Sequence, residues 1–287
     1  MERTPRLDAI AYLRALTEIE PPAGGEPLEA KARVRFTVAQ ALAQGRLGFH
    51  YQPVVRATNP RFPAFFEMLA RLTLPGGQIL PASAFMPHVE QGPLGRAIDR
   101  HALQVACAAL ADDPALRLSV NMSPLSMGDA GWLEILERAS ADRRVTGRLI
   151  LEITESATLE DAGQTLDFLE HVRGCGCAFA LDDFGAGATG FRHFRDFRFD
   201  MVKIDGAFAQ GVSRLPDARV LVECLVRVAR HFEMLAVAER VECEADAAVL
   251  RELGVDCLQG YRYGRPTATP TLPGVGDGDA RLRRKAG

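Results

Sequence analysis

The stretch Leu149-Ile150-Leu151-Glu152-Ile153-Thr154, a helical segment from Thr158 to Val172, and the second run Cys177-Ala178-Phe179-Ala180-Leu181-Asp182 together decide the fold. Each run is short and nearly continuously apolar, as a strand covered on both faces reads. Between them apolar residues recur at three- and four-residue intervals, the period of an amphipathic helix. A strand, a helix and a second strand in this order form a βα unit with parallel strands. Working outward, the same pattern returns on both sides. Eight strand-like runs are expected, Leu47 to Val55, Phe65 to Leu72, Leu116 to Asn121, Leu149 to Thr154, Cys177 to Asp182, Met201 to Ile204, Leu235 to Glu239 and Asp256 to Gly260. Helices are expected over Ala97 to Leu110, Trp132 to Ser140, Ala218 to Phe232 and Glu244 to Leu253, with left-handed C-caps at Gly174 and Gly254. The pattern predicts an α/β fold, a (β/α)8 TIM-like barrel. The connection Arg56 to Pro63 is too short for a helix, so the first strand is expected to run antiparallel to the second.

Upstream, Arg6 to Ile19 and Lys31 to Gln44 read as helices around the loop Pro21-Pro22-Ala23-Gly24-Gly25. The chain divides into an N-terminal helix and loop (1–30), a barrel domain (31–266) and a tail (267–287) whose Pro, Gly and closing Arg-Leu-Arg-Arg-Lys predict disorder. At 287 residues and 47% hydrophobic, the chain can bury a large core, which excludes disorder as its dominant state. No run approaches the ~18 apolar residues of a membrane span and no secretory leader is visible, so a soluble, cytoplasmic protein without a membrane partner is expected. With 34 Lys and Arg against 37 Asp and Glu, the net charge of −3 gives no footprint for a nucleic-acid polymer. The six cysteines lack C-x-x-C spacing and read as reduced core thiols.

The carboxylates fall where the strands end. Glu67 lies in the second run, Asn121 ends the third, Glu152 sits in the fourth, Asp182 and Asp183 close the fifth, and Glu239 closes the seventh. Lys203 in the sixth and Gln259 in the eighth join them. In a barrel the C-terminal strand ends form one mouth, so residues far apart in sequence converge there. Carboxylates crowded into such a site repel strongly unless divalent cations neutralise them. An all-oxygen donor set selects hard cations, and a carboxylate shared by two ions suits displacement at phosphorus. Asp182 is the expected bridge. Glu67, Asn121 and Glu152 complete a first Mg²⁺ or Mn²⁺, and Asp183 with Glu239 holds a second.

These residues sit in segments that resemble the EAL-domain cyclic-di-GMP phosphodiesterase family from about Lys31 to Pro266. The matching segments are Tyr51-Gln52-Pro53, Glu67-Met68-Leu69-Ala70-Arg71, Val120-Asn121-Met122-Ser123, Glu152-Ile153-Thr154-Glu155, Asp182-Asp183-Phe184-Gly185, Lys203-Ile204-Asp205, Ala238-Glu239-Arg240-Val241-Glu242 and Gln259-Gly260-Tyr261. The resemblance implies metal-dependent hydrolysis of one phosphodiester of cyclic di-GMP to linear pGpG, and a homodimer. It makes Glu67, Asn121, Glu152, Asp182, Asp183 and Glu239 the metal ligands. Lys203 becomes the catalytic lysine, acting either as a proton acceptor or as a fixed charge, and Asp183 and Glu155 belong to the catalytic set, Glu155 by anchoring the loop after the Asp pair. Gln52, Arg71, Glu242 and Gln259 match positions that contact substrate or order the site.

Three departures stand out. Met68 replaces the Ala of the signature tripeptide, and Arg240 stands where the family commonly has Gly, a long cation near the second metal ligand that is expected to screen Glu242 or reach a phosphate. The loop Gly185-Ala186-Gly187-Ala188-Thr189-Gly190 lacks hydroxyls that the family usually carries, which points to reduced turnover. The alternatives to an active enzyme are a catalytically weak cyclic-di-GMP-binding sensor and a protein-interaction module, the latter using the rings Phe191, Phe194, Phe197 and Phe199.

Overall fold

A computed structural model describes residues 27–154, 162–185 and 197–272 of the chain. The expected helix at Arg6 to Ile19, Glu155, the loop residues 186–190, Phe191 and Phe194 lie outside the described residues. Strands are numbered in chain order: β1 (Leu47–Arg56), β2 (Asn59–Thr73), β3 (Ile79–Pro81), β4 (Leu118–Asn121), β5 (Leu149–Thr154), β6 (Ala178–Phe184), β7 (Met201–Ile204), β8 (Leu235–Ala238) and β9 (Cys257–Gln259). The helices are α1 (Pro27–Ala43), α2 (Met86–Val89), α3 (Pro93–Asp112), α4 (Ala130–Ala139), α5 (Arg143–Thr146), α6 (Ala162–Gly174), α7 (Gly206–Ala209), α8 (Pro216–His231) and α9 (Glu244–Glu252).

The strand order β1-β9-β8-β7-β6-β5-β4-β2 closes through pairing of β1 with β2, giving an eight-stranded barrel, with β3 added to β2 outside the ring. β1 runs antiparallel to both β2 and β9, and the remaining barrel pairs are parallel, as the short Arg56 to Pro63 connection requires. β3 has no counterpart among the expected runs. Its three residues are too few to show an alternation, and they pair with the overhanging end of β2, Arg71 to Thr73.

Among the described residues, three apolar bodies hold the fold. The largest lies between the strands and the outer helices and includes Leu118, Leu151, Phe179, Val202, Trp132 and Leu136. A second packs α1, through Val38, Ala39 and Ala41, over Leu47, Leu72, Phe85 and Val89. The third is the plug inside the barrel, formed by Val54, Phe65, Ile150, Ala180, Met201, Val237 and Cys257. Burying each large side chain stabilises the fold by about 1.5–3 kcal/mol.

Helix ends follow local chemistry. Asp129 caps α4 by accepting from the Trp132 backbone N–H at 2.8 Å, and Asp205 caps α7 by accepting from Ala207 N–H at 2.8 Å. Gly254 takes φ 83° after α9, as expected. The expected left-handed cap at Gly174 is instead at Gly176, with φ 91°. The helical hydrogen bonding continues through Cys175, whose N–H donates to His171 O and Val172 O, so the reversal comes later. The cysteines are all free, but Cys224 and Cys243 are exposed rather than core residues. Phe197 and Phe199 are buried in the main core, so neither presents a surface. Beyond Pro266, Thr267 exchanges backbone hydrogen bonds with Tyr51 at 2.8 and 3.0 Å.

Candidate active site

The site is the layer of side chains one pleat above the barrel plug. Side chains two apart on a strand share a face. Moving two residues toward the mouth from Phe65, Ile150, Ala180, Met201, Val237 and Cys257 reaches Glu67, Glu152, Asp182, Lys203, Glu239 and Gln259. β1 runs the other way, and two residues back from Val54 is Gln52. One apolar ring therefore carries one polar ring, and this period was readable in the sequence once the barrel's inner face was known. Asn121 ends β4 in register with Glu152 on β5.

Lys203 stands at the centre, 1% exposed, with Nζ 2.8 Å from Glu239, 2.9 Å from Glu152, 3.1 Å from Asp182 and 3.6 Å from Glu67. Burial alone would lower the lysine pKa, but the charges of Asp182, Glu152, Glu239 and Glu67 outweigh it and hold the ammonium well above its ordinary range. One cation does not balance four carboxylates. Burial pushes the Glu152 carboxyl well up, with Glu67 and Asp182 adding to the rise and Lys203 opposing it. Burial likewise raises Glu239.

Asp182 and Asp183 both reach the mouth because β6 bulges. Leu181 pairs with Val202 and Phe184 with Ile204, so two residues oppose Lys203 alone. Asp183 takes φ 56°, and its N–H donates to Asp182 Oδ1 at 3.0 Å. Such a left-handed non-glycine residue costs about 1 kcal/mol or more, which fits a functional position. Burial raises the Asp183 carboxyl, Asp182 and Asp205 add to this, and Lys203 and Arg240 oppose it.

Carboxamides orient the acids. Asn121 Nδ2 donates to Glu67 Oε1 at 3.0 Å, Gln259 Nε2 donates to Glu67 Oε2, and Gln52 Nε2 donates to Gly264 O at 3.2 Å. The mouth is a cavity of about 340 Å³ lined by Gln52, Glu67, Asp182, Lys203, Glu239, Arg240, Glu242, Gln259, Gly260 and Tyr261. Gly260 is required there, since a Cβ would collide with the Val241 backbone. Arg71 is two pleats beyond Glu67 on the same face of β2, outside the cavity lining, and donates to Ala70 O at 2.9 Å. Arg240 completes the lining beside Glu239 and Glu242, and Tyr261 joins it without having been expected to do so. Tyr261 follows the Gln259-Gly260 pair but carries no period of its own, and only the fold shows that its loop closes over the mouth.

The donor set fits divalent cations. Asp182, Asp183 and Glu239 each offer an oxygen within 4.8 Å of the others. Glu152 Oε1 is buried without a hydrogen-bond partner among the described residues, an orphan acceptor that a cation would satisfy.

Residues 36–266 match the EAL domain. The chain belongs to the EAL family. A cyclic di-GMP phosphodiesterase, PdeF, from Escherichia coli strain K12 is 30% identical over 244 residues, covering 83% of this chain and 32% of that protein. An uncharacterised signalling protein from Caulobacter vibrioides is 35% identical over 237 residues, 81% of this chain and 29% of that protein. The EAL chain thus spans about a third of the length of these curated relatives. Among solved structures, the PaMucR phosphodiesterase in complex with c-di-GMP is 30% identical with a TM-score of 0.72, covering 82% of this chain and 97% of that one.

Proposed function

We propose that the chain hydrolyses one phosphodiester of cyclic di-GMP to linear pGpG, using two Mg²⁺ or Mn²⁺ ions. The observation that carries this reading is the ring of Glu67, Glu152, Asp182 and Glu239 around the buried Lys203, which leaves carboxylate charge unbalanced and one Glu152 oxygen unpartnered. Asp182, Asp183 and Glu239 would hold one ion, and Glu67, Asn121, Glu152 and Asp182 the other. When bound, the ions supply Lewis-acid stabilisation of phosphoryl charge and a water acidified enough to attack near neutral pH.

The chain's own residues do the rest. Lys203, whose Nζ lies within 2.8–3.6 Å of four carboxylates, would meet the phosphate either as a fixed positive donor or as a proton acceptor. Gln259 and Asn121 clamp both oxygens of Glu67, which orders that carboxylate before substrate arrives. Gln52 and Glu242 line the mouth and offer polar groups to the purine edges, while Arg71 waits at the rim on the β2 overhang. Glu155 is assigned to anchoring the loop after Asp183. Two copies of the chain are expected to form a homodimer, which sedimentation in solution tests. A nucleotide substrate and six free cysteines favour the cytoplasm. Among the described residues no helix is long and apolar enough to cross a membrane.

Chromatographic product analysis after incubation with cyclic di-GMP and Mn²⁺ tests the activity. Formation of pGpG that requires the metal is expected. Intact cyclic di-GMP with both Mg²⁺ and Mn²⁺ would overturn the enzymatic reading, and retained binding in Ca²⁺ would then favour the sensor alternative.

A further inference from the structure

Arg240 lines the mouth beside Glu239. It has φ 51°, in the left-handed region that a long side chain rarely adopts, yet it sits between the ligand Glu239 and the lining residue Glu242. A strained position of this kind persists only when its surroundings require it. The surroundings here are built for the side chain. A Cβ placed on Gly206 would lie 2.5 Å from Arg240 Cγ and 2.7 Å from Arg240 Cβ. The stem of Arg240 therefore fills the space that the missing Gly206 side chain leaves, and α7 begins with glycine at the one point where the arm crosses it.

The charge of Arg240 is also uncommitted. The cavity lining holds two cations, Lys203 and Arg240. Lys203 is engaged with four carboxylates. Arg240 is exposed, and no ion pair joins it to any described residue, although its charge is felt at Asp183. A guanidinium projected from a strained backbone, braced along its stem and left without a carboxylate, is an anion receptor. Its planar fork matches two oxygens of a phosphate.

We infer that Arg240, braced on Gly206, is a substrate-binding residue that takes a phosphate of the diester substrate at the mouth of the barrel. The inference rests on the phosphodiesterase reading and deepens it. The phosphate rather than a purine is assigned because Arg240 is joined directly to Glu239, which with Asp182 and Asp183 forms the cluster that would hold a cation and so face a phosphoryl group.

The test compares the parent chain with R240G and R240K on cyclic di-GMP and on bis(p-nitrophenyl) phosphate, a diester without a purine, both with Mn²⁺. Binding of cyclic di-GMP in Ca²⁺ is measured alongside by calorimetry. Glycine suits the φ of this position, so R240G removes the arm without straining the backbone, and thermal unfolding checks that the fold is kept. For R240G, KM is expected to rise about tenfold on both substrates, more than kcat falls, and the calorimetric Kd is expected to weaken in parallel. R240K should fall between, because a point charge lacks the paired donors. G206A should weaken binding in the parent and lose that penalty in an R240G background, where nothing occupies the space. A KM and Kd for R240G equal to the parent's would overturn the assignment while leaving the phosphodiesterase reading standing. A loss confined to cyclic di-GMP would overturn the phosphate contact in favour of a purine contact. A parent chain that neither binds nor cleaves cyclic di-GMP overturns both readings.

Discussion

Asp99→Asn isolates a charge that the fold buries behind the active-site layer. Asp99 lies in α3 at 5% exposure, and its Oδ2 accepts from Ser123 N–H at 2.9 Å and from Ser126 Oγ at 2.7 Å. It thereby ties the turn that follows Asn121 to an outer helix. Burial pushes the carboxyl from its ordinary 3.8 up to about 6, against the lowering effect of the two hydrogen bonds and with a further push from Asp129. A carboxylate raised in the folded state keeps a proton that the unfolded chain has already released. Its stabilising contribution is therefore complete below about 3.8 and is lost as pH rises through about 6. The whole shift is worth about 3 kcal/mol, of which roughly 1.4 kcal/mol falls between pH 5 and pH 8. Asn keeps an acceptor for both donors and carries no charge. The assay is urea unfolding of metal-free protein at pH 5 and pH 8, taking the difference of differences between parent and variant so that every other titrating group cancels. The parent is expected to lose about 1.4 kcal/mol more than the variant on going to pH 8. Parallel pH dependences for the two proteins would refute the buried-charge argument, and a steeper loss in the variant would reverse its sign.

Other consequences can be checked directly. Glu67→Ala removes a proposed ligand held by Asn121 and Gln259; hydrolysis should be abolished with the circular dichroism unchanged, and near-normal turnover in saturating Mg²⁺ would remove Glu67 from the metal set. Ca²⁺ should occupy the site without supporting turnover and inhibit the Mn²⁺ reaction, because its longer bonds and higher coordination number misalign the reacting groups; equal rates in a steady-state assay would argue against a demanding two-metal geometry. Asp129→Ala removes the α4 N-cap and the paired contacts from Arg100 at 2.6 Å each, so stability should fall by about 2 kcal/mol in a denaturant melt, and a change below about 0.5 kcal/mol would show the pair to be idle.

Much of the site could be read along the chain because its elements are local. A strand buried on both faces, an acid at its mouth end and a helix after it need no knowledge of remote neighbours, so Glu67, Asn121, Glu152, Asp182, Glu239 and the barrel itself follow from period and position. The antiparallel first strand follows from chain length alone, since Arg56 to Pro63 cannot span a helical crossover.

What the tertiary structure alone decided concerns partners drawn from different elements. Strand position puts Lys203 at the mouth, but its contacts with carboxylates from β2, β5, β6 and the end of β8 exist only once the barrel has closed. The bulge that turns both Asp182 and Asp183 to the mouth is a mismatch between two strands, and neither strand records it by itself. The left-handed Arg240 and the glycine beneath it are 34 residues apart along the chain and meet because β7 and β8 are neighbours in the sheet. Asp99 looks like any polar residue of an amphipathic helix until the turn after β4 folds over it and removes its water. Periodicity is a property of one segment, whereas charge balance, strain and burial belong to pairs of segments, and pairs exist only once the chain has folded.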